Sequence, residues 1–169
     1  MNRFSLITGA TLLVAGFGMT GTAEAATATR LHFENATGFC QSALPIFDGN
    51  VRKRPTAVAN EGTSNAFISC SMAASANGST GIEVISLFIY NKTAVAVNVT
   101  CSLVNHYQAG GTVVPKTQSV RAIGIAEFVW TRGDVGNPAS MKYANFSCNL
   151  PPGTEVGYGY YRYSYEIGS

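Results

Sequence analysis

The sequence predicts an all-β fold, an antiparallel β-sandwich stapled by disulfides, from three observations. Cys70, Cys101 and Cys148 each sit in the same five-residue frame: apolar, hydroxyl, Cys, small polar, apolar. Because side chains on a strand alternate between faces, each Cys and its apolar neighbours face the core. Short apolar-alternating segments recur with turn signals between them, and no segment keeps an apolar helical period for three turns. A small closed β-barrel is the alternative.

The strands are predicted to follow one another along the whole chain. The clearest alternation is in residues 94–105, where Val95, Val97 and Val99 are separated by small residues. Residues 39–58 are predicted to be irregular, because prolines and an Asp-Gly pair interrupt them. A turn is predicted around Gly124. The predicted strands are 30–34, 66–72, 82–90, 94–105, 117–121, 126–131, 142–150 and 155–167.

The N-terminus has the features of a cleavable secretory signal. Arg3 supplies a positive charge, residues 6–19 are apolar, and Ala23 and Ala25 occupy the small-residue positions of a cleavage site. A membrane anchor is the alternative, but the apolar run is shorter than the roughly 20 residues that a span needs. We therefore expect a signal peptide over residues 1–25 and a single secreted or periplasmic β-sandwich domain over 26–169, without a transmembrane span.

Because the chain is predicted to be exported, its four cysteines are predicted to form two disulfides. An even number of cysteines in an oxidising compartment is typical of disulfide bonding, and no C-x-x-C or zinc-ligand spacing occurs. Four cysteines allow three pairings. We favour Cys40–Cys70 and Cys101–Cys148, because Cys40 lies in the irregular N-terminal stretch and needs a partner nearby in sequence.

Two motifs, one in the middle of the chain and one near its C-terminus, carry a resemblance to a known group of proteins. Residues 99–103 form a mid-chain Cys strand, and residues 145–154 read Asn-Phe-Ser-Cys-Asn-Leu-Pro-Pro-Gly-Thr before a strand that closes on Tyr165-Glu166. This combination resembles small secreted bacterial β-domain proteins with a C-S-L-P-P-G-T motif and a final Y-x-Y-x-E. Asn149 stands where that motif has Ser. The resemblance spans residues 38–166 and implies export and a β-fold, but no activity.

Composition and motifs argue against catalysis and against nucleic acid as a partner. Lysines and arginines number 11 and acids 9, a net charge of +2, which is too small for a nucleic-acid surface. No nucleophile elbow, metalloprotease helix, phosphate loop or calcium loop is present. His32 and His106 are the only imidazoles, and each is predicted to be a surface histidine or one whose hydrogen bonds are partly satisfied. We expect no enzyme, no cofactor and no metal.

The densest charge, Arg52-Lys53-Arg54, has two interpretations. It could bind the carboxylates or phosphates of an anionic polymer, since Arg offers two parallel donors. We favour a solvated loop whose charges pair with Asp48 and Glu61, because three charges make a small electrostatic surface.

The last strand supplies the candidate binding residues. Its odd-numbered residues 157–167 end in Ile167 and are predicted to face the core, which leaves Tyr158 and Tyr160 partly exposed beside Arg162. Exposed aromatic rings with a polar tip can stack on sugars or anchor a protein. The alternative is cross-strand aromatic pairing that only stabilises the sheet. Trp130 is predicted to lie in the core.

Three classes of function remain after these exclusions. We favour an exported, non-catalytic binding or surface-interaction module, whose partner is a glycan or another surface protein. A structural, envelope-associated protein is the second class. A hydrolase or inhibitor whose site the sequence does not reveal is the third.

Overall fold

A computed structural model describes residues 26–72, 81–105, 112–136, 141 and 143–167, so the predicted signal peptide lies outside the described residues. One short helix, α1 (Ala36–Phe39), and single 3-10 turns at Pro45–Phe47 and Arg132–Val135 interrupt the strands. The strands are β1 (Ala26–Asn35), β2 (Cys40–Ser42), β3 (Val51–Arg54), β4 (Ala57–Asn60), β5 (Ala66–Met72), β6 (Ile82–Asn91), β7 (Val97–Asn105), β8 (Thr112–Val120), β9 (Gly124–Thr131), β10 (Ala144–Leu150) and β11 (Thr154–Ile167).

The strands form two antiparallel sheets that pack face to face. Sheet A has the order β3-β4-β11-β6-β9, and β1 pairs with the C-terminal part of β11. Sheet B has the order β2-β5-β10-β7-β8. The core between them is apolar and includes Leu87, Phe128 and Trp130 from sheet A and Ile68 and Leu103 from sheet B. The predicted β-sandwich is confirmed, and the sheets do not close into a barrel.

Both disulfides lie within sheet B and join neighbouring strands. Cys40 on β2 bonds to Cys70 on β5, and Cys101 on β7 bonds to Cys148 on β10. In each pair the two cysteines stand directly opposite each other in the strand register. All four side chains are buried, as the shared sequence frame predicts for Cys70, Cys101 and Cys148.

Residues 39–58 differ from the prediction, because they contain three strands. The basic triplet lies on β3 instead of in a loop, and β3 pairs with β4, whose four residues are all buried. Small apolar residues let β4 fit beside β11, and that pairing outweighs the nearby turn signals. Arg54 pairs with Glu61 as expected. Arg52 instead donates to the backbone carbonyl of Asp48 at 2.7 Å, so the predicted pairing with the Asp48 side chain is wrong.

Several predicted strand ends shift in the structure. β7 begins at Val97, and Val95 is 64% exposed in the loop before it. The Asn91 side chain fixes that loop by donating to the Val95 carbonyl at 2.7 Å. β1 and β8 extend further than predicted. The turn before β9 ends at Gly124, after Ile123, which has a positive φ of 46°.

A β-bulge in β11 changes which of its residues face the core. Val156 stands opposite Ile89 and Gly159 opposite Leu87, so three steps on β11 match two on β6. Val156 and Tyr161 are therefore both buried, although one is even-numbered and the other odd. The odd-even division of this strand predicts that Val156 lies on the exposed face with Tyr158, and that prediction is wrong. Ile167 is 48% exposed, so the prediction that it faces the core is wrong as well.

Candidate functional site

Five aromatic side chains form a row on the outer face of sheet A, the face turned away from sheet B. We call this row the aromatic face. Its members come from three neighbouring strands: Phe33 on β1, Tyr158 and Tyr160 on β11, and Phe88 and Tyr90 on β6. The bulge in β11 places Tyr158 and Tyr160 on this side while Tyr161 points into the core.

Four of the five rings of the aromatic face contact one another in sequence across the sheet. The ring centroids of Phe33 and Tyr160 are 5.4 Å apart, and those of Tyr160 and Phe88 are 6.2 Å apart. Phe88 and Tyr158 stack at 4.2 Å with an angle of 19° between their planes. Phe33 is 60% exposed, and the other rings are half-buried by their neighbours. The result is a nearly continuous ring surface that solvent can reach.

Gly157 leaves space for the Tyr90 ring at one end of the aromatic face. A Cβ atom at this position would lie 2.3 Å from the Tyr90 ring, so any larger residue would displace that ring. Lys92 follows next: its ammonium lies 5.2 Å from the Tyr90 centroid and 3.0 Å from the Glu155 carboxylate. A shallow cleft of about 230 Å³ continues from here toward Ile125.

A carboxylate stands beside the rings. Glu127 on β9 accepts two hydrogen bonds on the same oxygen, Oε1, from the Tyr160 hydroxyl at 3.0 Å and the Ser86 hydroxyl at 2.7 Å. These bonds fix the Tyr160 ring and the carboxylate together. The described residues place no donor on Oε2 of Glu127.

The predicted residues Tyr158, Tyr160 and Arg162 lie on one face of β11. Arg162 is exposed and its Nε lies 3.1 Å from Glu83, which also accepts from Ser164. Burial raises the pKa of Tyr158, and the nearby Tyr90 and Glu127 raise it further. The Tyr158 phenol therefore stays protonated at physiological pH and remains a hydrogen-bond donor.

The other residues that the sequence analysis singled out lie elsewhere. The His32 ring bonds to Glu34 at 3.0 Å and packs against Tyr161 at 5.0 Å. His106 lies outside the described residues. Trp130 is fully buried, and its indole N–H donates to the Val114 carbonyl at 2.9 Å, so the prediction that it belongs to the core is confirmed.

The outer face of sheet B offers a groove of different chemistry. It encloses about 440 Å³ and is lined by Lys53 and by small polar side chains such as Gln41, Ser69 and Asn145. The two aromatic residues at its edge, Phe39 and Phe146, are buried. The groove therefore lacks the ring surface that distinguishes the aromatic face.

Within the described ranges, the helices are all too short or too polar to cross a membrane. The same residues contain no cluster of three His, Cys, Asp or Glu side chains that could hold a metal ion.

No protein-family model matches the chain, and no curated protein matches it either. A solved structure described as TmCBM61 in complex with β-1,4-galactotriose aligns with 81% of this chain and 88% of its own, at 10% identity and a TM-score of 0.36. Another, described as "CBM4 structure and function", aligns with 81% of this chain and 86% of its own, at 9% identity and a TM-score of 0.36. Similarity at this level carries no argument about what this chain binds.

Proposed function

We propose that this protein is an exported, non-catalytic module that binds glycan chains on its aromatic face. The observation that carries the proposal is the row of contacting rings with the Glu127 carboxylate beside it. A sugar ring has an apolar C–H face and a rim of hydroxyls. Aromatic side chains can stack on the apolar face, and phenol and carboxylate groups can hydrogen-bond to the hydroxyls. Because the row crosses three strands, it is long enough for more than one sugar unit.

The charges on this face favour a neutral glycan over an acidic one. Arg162 is already paired with Glu83, so its positive charge is largely compensated. Glu127 has no cationic partner among the described residues, and it would repel a nearby carboxylate of a uronic acid. A sugar hydroxyl, by contrast, can donate to Oε2 of Glu127 in a charge-assisted hydrogen bond.

The hydrogen bonds of the carboxylates Glu83 and Glu127 support a module that is not catalytic. Glu83 accepts from Arg162 and Ser164, and Glu127 accepts from Tyr160 and Ser86. Each carboxylate thus has a structural role within the sheet. In the described part of the chain, the aromatic face has no imidazole beside these carboxylates. Export is supported by the two disulfides, which persist in oxidising compartments, together with the predicted signal peptide.

The aromatic face predicts a specific loss of binding on replacing Tyr158 with alanine. Tyr158 stacks on Phe88 in the middle of the row, and truncating a central aromatic anchor costs about 2 kcal/mol, or roughly thirtyfold in affinity. The measurement is affinity electrophoresis and calorimetry against a panel of neutral polysaccharides and one polyuronate. Because Tyr158 is half-buried, the Tyr158→Ala variant should also lose about 1 kcal/mol of unfolding free energy.

Phe67→Ala provides a matched control. Phe67 is 44% exposed on the outer face of sheet B and contacts Phe47 at 5.8 Å, so it tests ring loss outside the aromatic face. We expect its affinity to equal that of the native protein. Glu127→Gln should weaken binding of neutral chains and reduce the discrimination against the polyuronate. Absence of binding to every polysaccharide, or an equal loss in Phe67→Ala, would refute the proposal.

A further inference from the structure

Most edge strands of the two sheets carry features that block pairing with another chain. β2 has three residues, and β3 has four, three of them basic. β8 contains Pro115, which cannot donate a backbone hydrogen bond. On β9, the carbonyls of Val129 and Glu127 accept from Lys116 and Gln118 of β8. Short length, charge, proline and covered carbonyls are the recognised ways of protecting a sheet edge.

In the part of the chain that the structure describes, β1 lacks the short length, the proline and the covered carbonyls, and its two charges, on Arg30 and Glu34, are of opposite sign. It has ten residues, no proline and no bulge in its register with β11. Nearly all of its residues are exposed, and Leu31 and Phe33 are 54% and 60% exposed. Among the described residues, β11 is the strand that pairs with β1, and the other side of β1 forms an edge of the sheet.

The sequence of β1 is complementary to itself in one antiparallel register. With a two-fold axis at His32, Arg30 stands opposite the partner's Glu34, and Leu31 stands opposite the partner's Phe33. By symmetry each of these pairs occurs twice. Opposite charges and apolar pairs directly across an antiparallel ladder each stabilise the pairing. The ladder would run over residues 29–35 of both copies.

Neighbouring registers lack this match. An axis at Leu31 would place Arg30 opposite the partner's His32, and an axis at Phe33 would move Arg30 beyond the end of the partner strand. Arg30 is exposed, with its guanidinium 4.6 Å from the Tyr165 ring. Glu34 already accepts from His32 of its own strand at 3.0 Å, and the pairing adds the partner's Arg30 as a second donor. We propose that two copies of this chain dimerise through antiparallel pairing of their β1 strands, with Arg30 facing the partner's Glu34.

The test is a charge exchange, followed by sedimentation velocity and light scattering on the exported chain across a dilution series. Arg30→Glu alone and Glu34→Arg alone each turn both attractive pairs into repulsive ones. We expect each to raise the dimer dissociation constant about tenfold or more. An equimolar mixture of the two variants should form a heterodimer, because the carboxylate introduced by R30E opposes the guanidinium introduced by E34R. The double variant R30E/E34R should dimerise like the native chain.

Arg52→Glu is the matched control, since it makes the same charge change on β3 at the same side of sheet A. Its dimerisation should be unchanged, and thermal melting of every variant checks that each one is folded. A native chain that stays monomeric at all concentrations would overturn the proposal. So would single variants that dimerise as well as the native chain, or a mixture that associates no better than its components.

Discussion

Replacing both Cys101 and Cys148 with alanine is expected to lower the free energy of unfolding by about 5 kcal/mol. The bond closes a loop of 47 residues, which contributes roughly 4 kcal/mol by constraining the unfolded chain. Both cysteines are fully buried at the centre of sheet B, so removing the two sulfurs also leaves a small cavity. The melting temperature should fall by about 15 °C, measured by calorimetry under oxidising conditions.

The Cys40/Cys70 pair is the natural comparison. Its loop is 30 residues and it joins β2, an edge strand of only three residues, to β5. The corresponding double alanine variant should lose about 4 kcal/mol or less, because the edge strand can adjust around the missing sulfurs. A larger loss for Cys40/Cys70 than for Cys101/Cys148, or a loss under about 1 kcal/mol for either, would contradict this account.

The disulfide pairing could be predicted because the sequence shows which cysteines face the core and which of them lie near each other in the chain. The shared frame around Cys70, Cys101 and Cys148 places each sulfur on the core side of a strand. Strand alternation is a local property, so it survives errors in strand boundaries. The pairing itself then depended on sequence proximity, which favoured Cys40 with Cys70. The structure contains the same two pairs.

Properties that depend on register between distant strands could not be predicted. The bulge that lets Val156 and Tyr161 both face the core arises from pairing with β6, some 70 residues earlier in the chain. A strict odd-even division of β11 therefore fails at its first bulge. The same limitation applies to β4, whose short apolar segment becomes a strand only because β11 lies beside it.

The candidate site was accessible from the sequence only in part. Tyr158, Tyr160 and Arg162 could be named because they share one strand with alternating aromatics. Phe33, Phe88 and Glu127 come from three other positions in the chain and join the site through sheet register. The alternation Phe88-Ile89-Tyr90 on the strand predicted over residues 82–90 was the one available signal for the missing rings.

Two asparagines at strand ends form hydrogen bonds to the opposite sheet, and no local sequence pattern predicts these bonds. The Asn91 side chain is buried at the end of β6 and donates to the carbonyls of Val95, Val120 and Arg121 at 2.7, 3.1 and 3.0 Å. Its carbonyl oxygen accepts from the backbone and hydroxyl of Thr93. The Asn91 side chain on β6 of sheet A thus donates the hydrogen bond that the carbonyl at the end of β8 in sheet B accepts.

Asn60 has the equivalent role at the end of β4. It donates to the carbonyls of Ser64 and Leu150, at 2.9 and 2.7 Å, and accepts from the backbone N–H of Gly62 at 3.0 Å. In both asparagines the side-chain oxygen accepts from the backbone N–H two residues later and closes a local turn. The side-chain nitrogen donates to a carbonyl of the opposite sheet. Buried amides of this kind fix how the two sheets are aligned, because apolar packing alone is not directional.

Asn91→Leu is expected to lower the free energy of unfolding by about 4 kcal/mol. Leucine has nearly the same size, so it fills the space and leaves the loss of hydrogen bonds as the dominant effect. Three carbonyls that share the two amide hydrogens lose their donor, and each buried acceptor left unpaired costs about 1–3 kcal/mol, less where water can reach it. The Val120 carbonyl is the most shielded of the three and should contribute most. Chemical denaturation with urea gives the measurement.

Asn98→Leu is the control, because Asn98 is exposed on β7 and its replacement should change stability by no more than about 0.5 kcal/mol. Asn60→Leu should reproduce the large loss at the second strand end. If Asn91→Leu instead costs less than about 1 kcal/mol, water must replace the amide at all three carbonyls, and the sheet alignment would then rest on apolar packing. A large loss would mean that the amides at Asn60 and Asn91 help to set the alignment of the two sheets.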